Sequence, residues 1–223
     1  PTAEGIGPLT LPGDVDGYRP MLLQAGASPT GMNFAARWAD ATFMVAAHGT
    51  QAQQIRAELR TRAAQAGRDP NEITTLMGIQ PVVAPTESAA QQKLQQLKDL
   101  IDPHAAWHDL ATLFRADPAD WALDDAAEAF LEAQRGATGA EGFENIVAEI
   151  VAAGASTVGE LAVEGAVAQF KPLLVGDPAS VAQQMLDLVN QEATDGFMIM
   201  GTTVPESYRD FAPVIQLLKE ADG

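Results

Sequence analysis

Short apolar runs alternate with amphipathic segments along this chain. Four runs have the length and composition of buried strands: residues 21–25, 41–46, 73–83 and 197–200. Strands buried on both faces are nearly continuous in apolar residues, as in a parallel sheet. Each run is followed by a segment with apolar residues at helical spacing, so the pattern predicts parallel strands joined by right-handed helical crossovers.

Two helix starts are marked by a capping residue in front of proline, at Ser28-Pro29 and at Asp177-Pro178. A Ser or Asp side chain accepts a hydrogen bond from an unpaired backbone N–H, and proline has no N–H to leave unpaired in the first turn. The region before Pro20 is rich in Gly and Pro and is expected to be loop or extended chain.

Residues 102–171 are alanine-rich, broken by Pro and Gly, and contain no apolar run that predicts a strand. We interpret them as a helical insertion between the third and fourth predicted strands, within one partial domain spanning residues 1–223. A closed (β/α)8 barrel needs roughly 250 residues, and without the insertion only about half of that remains. Since uncovered apolar sheet edges promote aggregation, we expect a complementary chain or an N-terminal part of the barrel to complete the fold.

The first strand runs into a Gly-rich turn and then into a capped helix. Such a turn directs backbone N–H groups and the positive end of a helix dipole at one point, where an anion fits. The candidate ligand-binding residues are Gln24, Ala25, Gly26, Ala27 and Ser28. The alternative is that Gly26 only makes the turn and Ser28 only caps the helix. The motif is not a Walker A loop, since no Lys follows its second Gly.

Charge and composition restrict the partners. The chain has 30 acidic and 13 basic residues, a formal net charge of −17, and no cysteine. This charge disfavours nucleic acid and anionic membrane surfaces as partners. The sequence also has no apolar run of about 18 residues, the length that a membrane helix requires. We therefore expect a cytoplasmic protein.

Histidines are the other candidate chemical groups. His48 follows the second predicted strand, at the end of the sheet where barrel chemistry is located, so we consider it a catalytic residue, for example a proton donor. The alternative is a loop histidine that is hydrogen-bonded for structure. His104 and His108 have helical i, i+4 spacing, but no third ligand accompanies them and we predict no metal site.

Several motifs together resemble the luciferase-like flavin monooxygenases, in particular the branch of nitrilotriacetate and dibenzothiophene-sulfone monooxygenases. The matching segments occur in the same order as in that family and cover nearly the whole chain: residues 19–28, 34–41, 66–70, 81–91, 175–182 and 195–197. The resemblance implies an α/β fold that forms the C-terminal half, strands five to eight, of a (β/α)8 TIM barrel.

The resemblance also implies a function. The phosphate of FMN would bind at Gly26, Ala27 and Ser28, and a separate reductase would supply reduced flavin, which with oxygen would oxygenate a small organic substrate. The insertion would cover the barrel mouth as a lid. Strands one to four, which supply much of the flavin pocket in this family, are not in the chain, so the isolated fragment is expected to be inactive.

Two alternatives stay open. A related F420-dependent oxidoreductase would have the same fold and a similar phosphate site. A non-catalytic subunit that binds a phosphorylated ligand would need only the turn. In each case we expect the chain to form a homo-oligomer.

Overall fold

The computed structural model describes residues 20–26, 28–46, 48–136, 141–169 and 171–221, with the side chains of 141–143 excepted. The Gly- and Pro-rich region expected to be loop therefore lies almost entirely outside the described residues. No helix within the described ranges combines the length and the apolar character needed to cross a membrane.

Five parallel strands form one sheet. They are β1 (Leu23–Ala25), β2 (Ala41–Met44), β3 (Thr74–Val83), β4 (Leu173–Gly176) and β5 (Gly196–Ile199). The long strand β3 is the centre of the sheet. Residues 74–77 of β3 pair with β2, residues 76–79 pair with β5, and residues 80–83 pair with β4. The predicted parallel α/β architecture is thus confirmed.

Helices fill the connections between the strands. They are α1 (Pro29–Trp38), α2 (Gly49–Gln65), α3 (Glu87–Asp99), α4 (Pro103–Phe114), α5 (Ala127–Ala133), α6 (Glu141–Ala152), α7 (Val158–Ala168), α8 (Pro178–Asn190) and α9 (Glu206–Ala221). Short 3-10 turns occur at Pro70–Glu72 and Pro118–Asp120.

Both predicted cap-and-proline starts are confirmed. Ser28 Oγ accepts a hydrogen bond from the Gly31 amide at 3.1 Å, at the start of α1. Asp177 Oδ1 accepts one from the Ser180 amide at 2.9 Å, at the start of α8. These local signals therefore set where both helices begin.

The prediction of four strands was wrong by one. Leu173–Gly176 forms strand β4, whereas the sequence pattern indicated only a lead into the helix that starts at Pro178. The run ends directly before the cap of α8, so no loop separates it from that helix. It becomes a strand because it pairs with the far half of β3, and the insertion consequently lies between β3 and β4.

The two faces of the sheet differ in their covering. Met77 and Ile79 on β3 are 0% exposed and pack in a core with Met185 of α8 and with Phe211 and Val214 of α9. Side chains alternate between the faces of a strand, so neighbouring residues of β3 point to the opposite face. On that face, Leu76 of β3, Phe43 of β2 and Met198 of β5 are only partly buried.

The insertion has a hydrophobic core of its own. Phe130 of α5 is fully buried and makes edge-to-face contacts with Trp107, Phe114 and Trp121, at ring-centroid distances of 5.2, 5.6 and 5.4 Å. Aromatic pairs of this geometry add to the stabilisation that burial provides. Helices α4 to α7 thus pack around a core that is separate from the core of the sheet.

Strand β1 lies at one edge of the sheet and is poorly covered. Met21, Leu22 and Leu23 are 76%, 44% and 50% exposed, and Phe34 and Trp38 on the adjacent α1 are 53% and 61% exposed. Large exposed apolar patches mark surfaces that contact other chains or segments.

Candidate functional site

The predicted site segments meet at the carboxyl ends of β1 and β2. The two strands are paired with Ala25 opposite Phe43, and the Gly26 amide donates to the Phe43 carbonyl at 3.3 Å. The turn after β1 and His48 after β2 therefore lie at the same end of the strands. In parallel α/β sheets and barrels, ligands bind at the carboxyl ends of the strands.

The turn depends on two glycines for different reasons. Gly26 has φ +111°, a left-handed conformation that L side chains rarely adopt. At Gly31 the limit is space, since a Cβ atom would lie 2.7 Å from Gln24 Nε2 and 3.1 Å from Ser28 Oγ. The turn is thus compact, and larger residues at these two positions would change its shape.

Gln24 supports the turn from within the protein. Its Oε1 accepts a hydrogen bond from Thr42 Oγ1 at 2.8 Å, and its Nε2 donates to the Ala25 carbonyl at 2.7 Å. Because the side-chain amide is engaged in this way, Gln24 stabilises the shape of the turn, and its role in ligand binding stays a prediction. Ala25, Gly26 and Ser28 are exposed at the surface of the turn, and Ala27 lies outside the described residues.

The N-terminus of α1 favours a bound anion. Its first turn contains no acidic residue, and its positive dipole end faces the exposed turn. Ser28 Oγ uses its acceptor capacity for the Gly31 amide, which leaves its O–H as a donor for a further group. Ser28 can therefore serve both as the cap of α1 and as a hydrogen-bond donor to a bound anion.

His48 is the N-cap of α2. Its Nδ1 accepts a hydrogen bond from the Gln51 amide at 3.1 Å, so in the neutral ring Nε2 carries the proton. That Nε2 lies 2.9 Å from Oε1 of Glu149, and the side chains are 41% and 48% exposed. His48 therefore lies at the carboxyl end of β2, as expected, but both of its ring nitrogens already contact other groups, the Gln51 amide and Glu149. Its catalytic role stays a prediction.

The contact with Glu149 brings the insertion to the site. Glu149 belongs to α6, so one insertion helix touches the loop that follows β2. The position of the insertion over the mouth stays a prediction. Movement of the insertion as a lid stays a prediction.

Lys171 is a candidate that the sequence analysis missed. Its Cδ lies 3.5 Å from the point where a Cβ of Gly78 would be, beside the Phe43 ring. Burial lowers the pKa of the Lys171 ammonium below its ordinary value. No local pattern distinguishes this residue, because it ends the insertion and reaches the sheet only through the fold.

A second charged cluster lies at the amino ends of the strands. Asp195 accepts hydrogen bonds from the Thr75 amide at 2.8 Å, from Thr75 Oγ1 at 2.7 Å and from Arg56 at 2.6 Å. Burial raises the pKa of Asp195, but the hydrogen bonds from Arg56 and Thr75 outweigh it and hold the pKa below its ordinary value. This end of a barrel serves stability and not chemistry.

His104 and His108 are exposed on α4. Within the described ranges, no three His, Asp or Glu side chains are grouped as a metal site would require.

Sequence comparison places these features among known proteins. The sequence profile described as luciferase-like monooxygenase matches residues 3–195. N-acetyl-S-(2-succino)cysteine monooxygenase of Bacillus subtilis is 33% identical over 216 residues, which cover 96% of this chain and 48% of the relative. Nitrilotriacetate monooxygenase component A of Aminobacter aminovorans is 28% identical over 206 residues, which cover 92% of this chain and 45% of the relative. The chain thus spans about half the length of the curated relatives it matches.

Solved structures share the fold. DmoA from Hyphomicrobium sulfonivorans superposes with a TM-score of 0.77 at 26% identity, over 91% of this chain and 42% of that one. Riboflavin lyase RcaE, solved with modified FMN and riboflavin, superposes with a TM-score of 0.70 at 25% identity, over 91% of this chain and 43% of that one.

Proposed function

The chain belongs to the luciferase-like monooxygenase family, and we propose that it provides the FMN phosphate site and one half of the barrel of a flavin-dependent monooxygenase. The observation that carries this proposal is the exposed turn between β1 and α1. There Gly26, with its positive φ, and the cap of Ser28 leave the N-terminal end of a ten-residue helix open to an anion.

The residues present fit a flavin phosphate. The missing side chain at Gly31 leaves room for the Gln24 amide and the Ser28 hydroxyl under the turn. Ser28 would hold the phosphate by its backbone N–H and its O–H, and Gly26, whose own N–H donates to the Phe43 carbonyl, would give the turn its shape. When bound in its reduced form, the flavin supplies the chemistry that activates oxygen.

Two features support the assignment to half of a barrel. The face of the sheet that carries Phe43, Leu76 and Met198 is only partly covered, whereas the opposite face is sealed by helices. Three consecutive apolar residues, Met21 and Leu22 before β1 and Leu23 at its start, are also exposed. Four further βα units on a second chain or on preceding sequence would cover both surfaces, and this agrees with the half-length match to the relatives.

The other groups at the mouth would serve the same reaction. His48 would present its Nε2–H towards the site when Glu149 moves away, and the insertion would exclude water from the reacting groups. A separate reductase would supply reduced flavin, and a small organic molecule would be the substrate. The component designation of the nitrilotriacetate enzyme supports a multi-component system.

The phosphate assignment is tested with the substitution Ser28→Asp. Aspartate retains the capping acceptor but places a negative charge beside the phosphate, so FMN binding should weaken by about tenfold or more. Riboflavin has the same ring without the phosphate, and its affinity should stay unchanged. Both affinities are measured by flavin fluorescence titration, in parallel with F420 on the wild-type chain. Equal FMN affinity in the wild type and the variant would remove the phosphate assignment.

A further inference from the structure

Lys171 lies on the face of the sheet that carries Phe43, Leu76 and Met198, where these side chains are only partly buried. Its aliphatic chain passes over Gly78, where a side chain would meet both Lys171 and the Phe43 ring. Gly78 lies between Met77 and Ile79, and both of these neighbours point into the core under α8 and α9. Because side chains alternate along a strand, Lys171 lies on the opposite side, which is the interior side in a barrel.

The position of Lys171 along the strands is also informative. Gly78 is the third residue of the β3 segment that pairs with β5, and the next segment, residues 80–83, extends past it to pair with β4. Lys171 precedes β4 by two residues and is thus level with the carboxyl ends of β2 and β5. This is the end at which the turn of Gly26 and the ring of His48 also lie.

Gln80 holds the chain on both sides of Lys171. Its side-chain Nε2 donates to the Val167 carbonyl at 3.2 Å, and its backbone amide donates to the Pro172 carbonyl at 2.9 Å. The Gln80 side chain is only 1% exposed, and its Oε1 has no hydrogen-bond partner among the described residues. Gln80 therefore anchors the segment that carries Lys171 and leaves a buried acceptor on the same face of the strand.

The charge of Lys171 is not compensated in the way that the charges of Lys93 and Lys98 are. Lys93 and Lys98 form ion pairs with Asp210 and Glu164. Lys171 donates to the Gln169 carbonyl at 3.0 Å and to Gln169 Oε1 at 3.4 Å, and within the described ranges it forms no ion pair. In a chain with 17 more acidic than basic residues, a half-buried ammonium without a carboxylate partner is a natural site for an external anion.

We propose that Lys171 binds the carboxylate of the substrate, with Gln80 as the residue that positions it, so that the substrate is a small organic acid. The inference rests on the proposed function in one respect, because it takes the carboxyl ends of the strands as the substrate-binding end. Carboxylates form charge-assisted hydrogen bonds with ammonium groups, and these are stronger than bonds between neutral groups. The lowered pKa of Lys171 agrees with desolvation that a bound carboxylate would offset.

The test uses the intact chain, together with any polypeptide that co-purifies with it, and succinate as the probe. The lysine side chains are labelled by 13C-dimethylation, which preserves their charge, and the Lys171 signal is assigned from Lys171→Arg. Succinate should shift this signal saturably, and neutral succinamide should not. Lys171→Met should weaken succinate binding about tenfold or more, while Lys171→Arg stays within a few fold of the wild type.

Lys219→Met is the matched control, because Lys219 is exposed on α9 and its removal changes the net charge equally. It should leave succinate affinity unchanged. Succinate affinity in the wild type should also fall as the pH rises through the lowered Lys171 pKa, since only the ammonium form binds the anion. FMN affinity is measured in parallel and should be equal in the wild type and Lys171→Met.

Three results would overturn the inference: no shift of the Lys171 signal with succinate, an unchanged affinity in Lys171→Met, or an equal loss in Lys219→Met. FMN binding in the same samples separates this failure from that of the proposed function. A chain that binds FMN but not succinate retains the phosphate site and loses the carboxylate site. If Lys171→Met does not fold, the succinate-induced shift of the wild-type Lys171 signal and the succinate affinity of Lys171→Arg still test the inference.

Discussion

The imidazole of His48 joins two parts of the molecule that are 101 residues apart in sequence. Its Nδ1 caps helix α2 by accepting from the Gln51 amide, and its Nε2 lies 2.9 Å from Glu149 Oε1 on the insertion helix α6. One ring thereby shapes the loop after β2 and ties the insertion to it. The two contacts can be separated, because they use different nitrogen atoms.

His48→Ala removes the cap and the contact with Glu149 together. We expect a loss of about 1 kcal/mol in the free energy of unfolding, mainly from the cap. His48→Asn supplies a capping oxygen but cannot keep the same reach to α6, so it should recover most of that stability. Chemical denaturation measures both values. Equal losses in the two variants would mean that the cap is not the source.

Glu149→Ala tests the tie between the insertion and the sheet. Both partners are about half exposed, so global stability should change by less than about 1 kcal/mol. The amide hydrogens of α6 should nevertheless exchange faster, because the helix loses its contact with the mouth. Glu149→Gln, which keeps a hydrogen-bond acceptor, should restore slow exchange. Identical exchange in the wild type and Glu149→Ala would show that the contact does not hold the insertion.

Gly31→Ala tests the packing under the turn. The added Cβ would meet Gln24 Nε2 and Ser28 Oγ, so the Gln24 amide or the capping hydroxyl must shift. We expect FMN affinity to fall by about tenfold, as for the loss of one hydrogen bond to a charged group. Thr30→Ala, an equally small change at the adjacent exposed residue, should have little effect. Flavin fluorescence titration compares the three proteins, and unchanged affinity in Gly31→Ala would argue against this geometry.

Asp195→Asn should destabilise the amino ends of the strands. The carboxylate holds Arg56 and Thr75, and its loss should cost about 2 kcal/mol at neutral pH. Because the pKa of Asp195 is lowered in the folded state, its stabilisation is complete above the unfolded pKa and is lost as the pH falls through the folded pKa.

The stability difference between the wild type and Asp195→Asn should therefore shrink as the pH is lowered below the ordinary range of an aspartate. Denaturation at a series of pH values measures it. Glu128→Gln removes an exposed carboxylate of α5 and is the control, with no comparable change expected at neutral pH. A difference that stays constant at low pH would contradict the role of the Asp195 charge.

Leu23→Lys tests whether the β1 edge makes the chain associate. Leu23 is 50% exposed on a sheet edge, and a charge there should suppress edge-to-edge pairing. We expect light scattering to show less self-association than in the wild type. Leu100→Lys replaces an 83% exposed leucine remote from this edge and should have no such effect. Equal self-association of Leu23→Lys and the wild type would show that the chain does not associate through the β1 edge.

The contacts of the Asp195 carboxylate and the short strand β4 are two features that the sequence did not predict. Asp195 stands just before the predicted strand 197–200, but its bonds to Thr75 and Arg56 cross 120 and 139 residues of chain. Leu173–Gly176 is a strand only because residues 80–83 of β3 project past the other strands to meet it. Neither contact leaves a periodic signal near the residues concerned.

The amino-acid sequence by itself determined the elements and their direction. Alternating apolar runs and amphipathic segments set the parallel β-then-α order, and Ser28-Pro29 and Asp177-Pro178 set two helix starts, since these depend on bonds within one turn of chain. The tertiary structure alone decided that Glu149 reaches His48 and that Lys171 lies over Gly78. Such pairings depend on how separate elements pack in space, and packing is a property of the whole chain that no local window of residues contains.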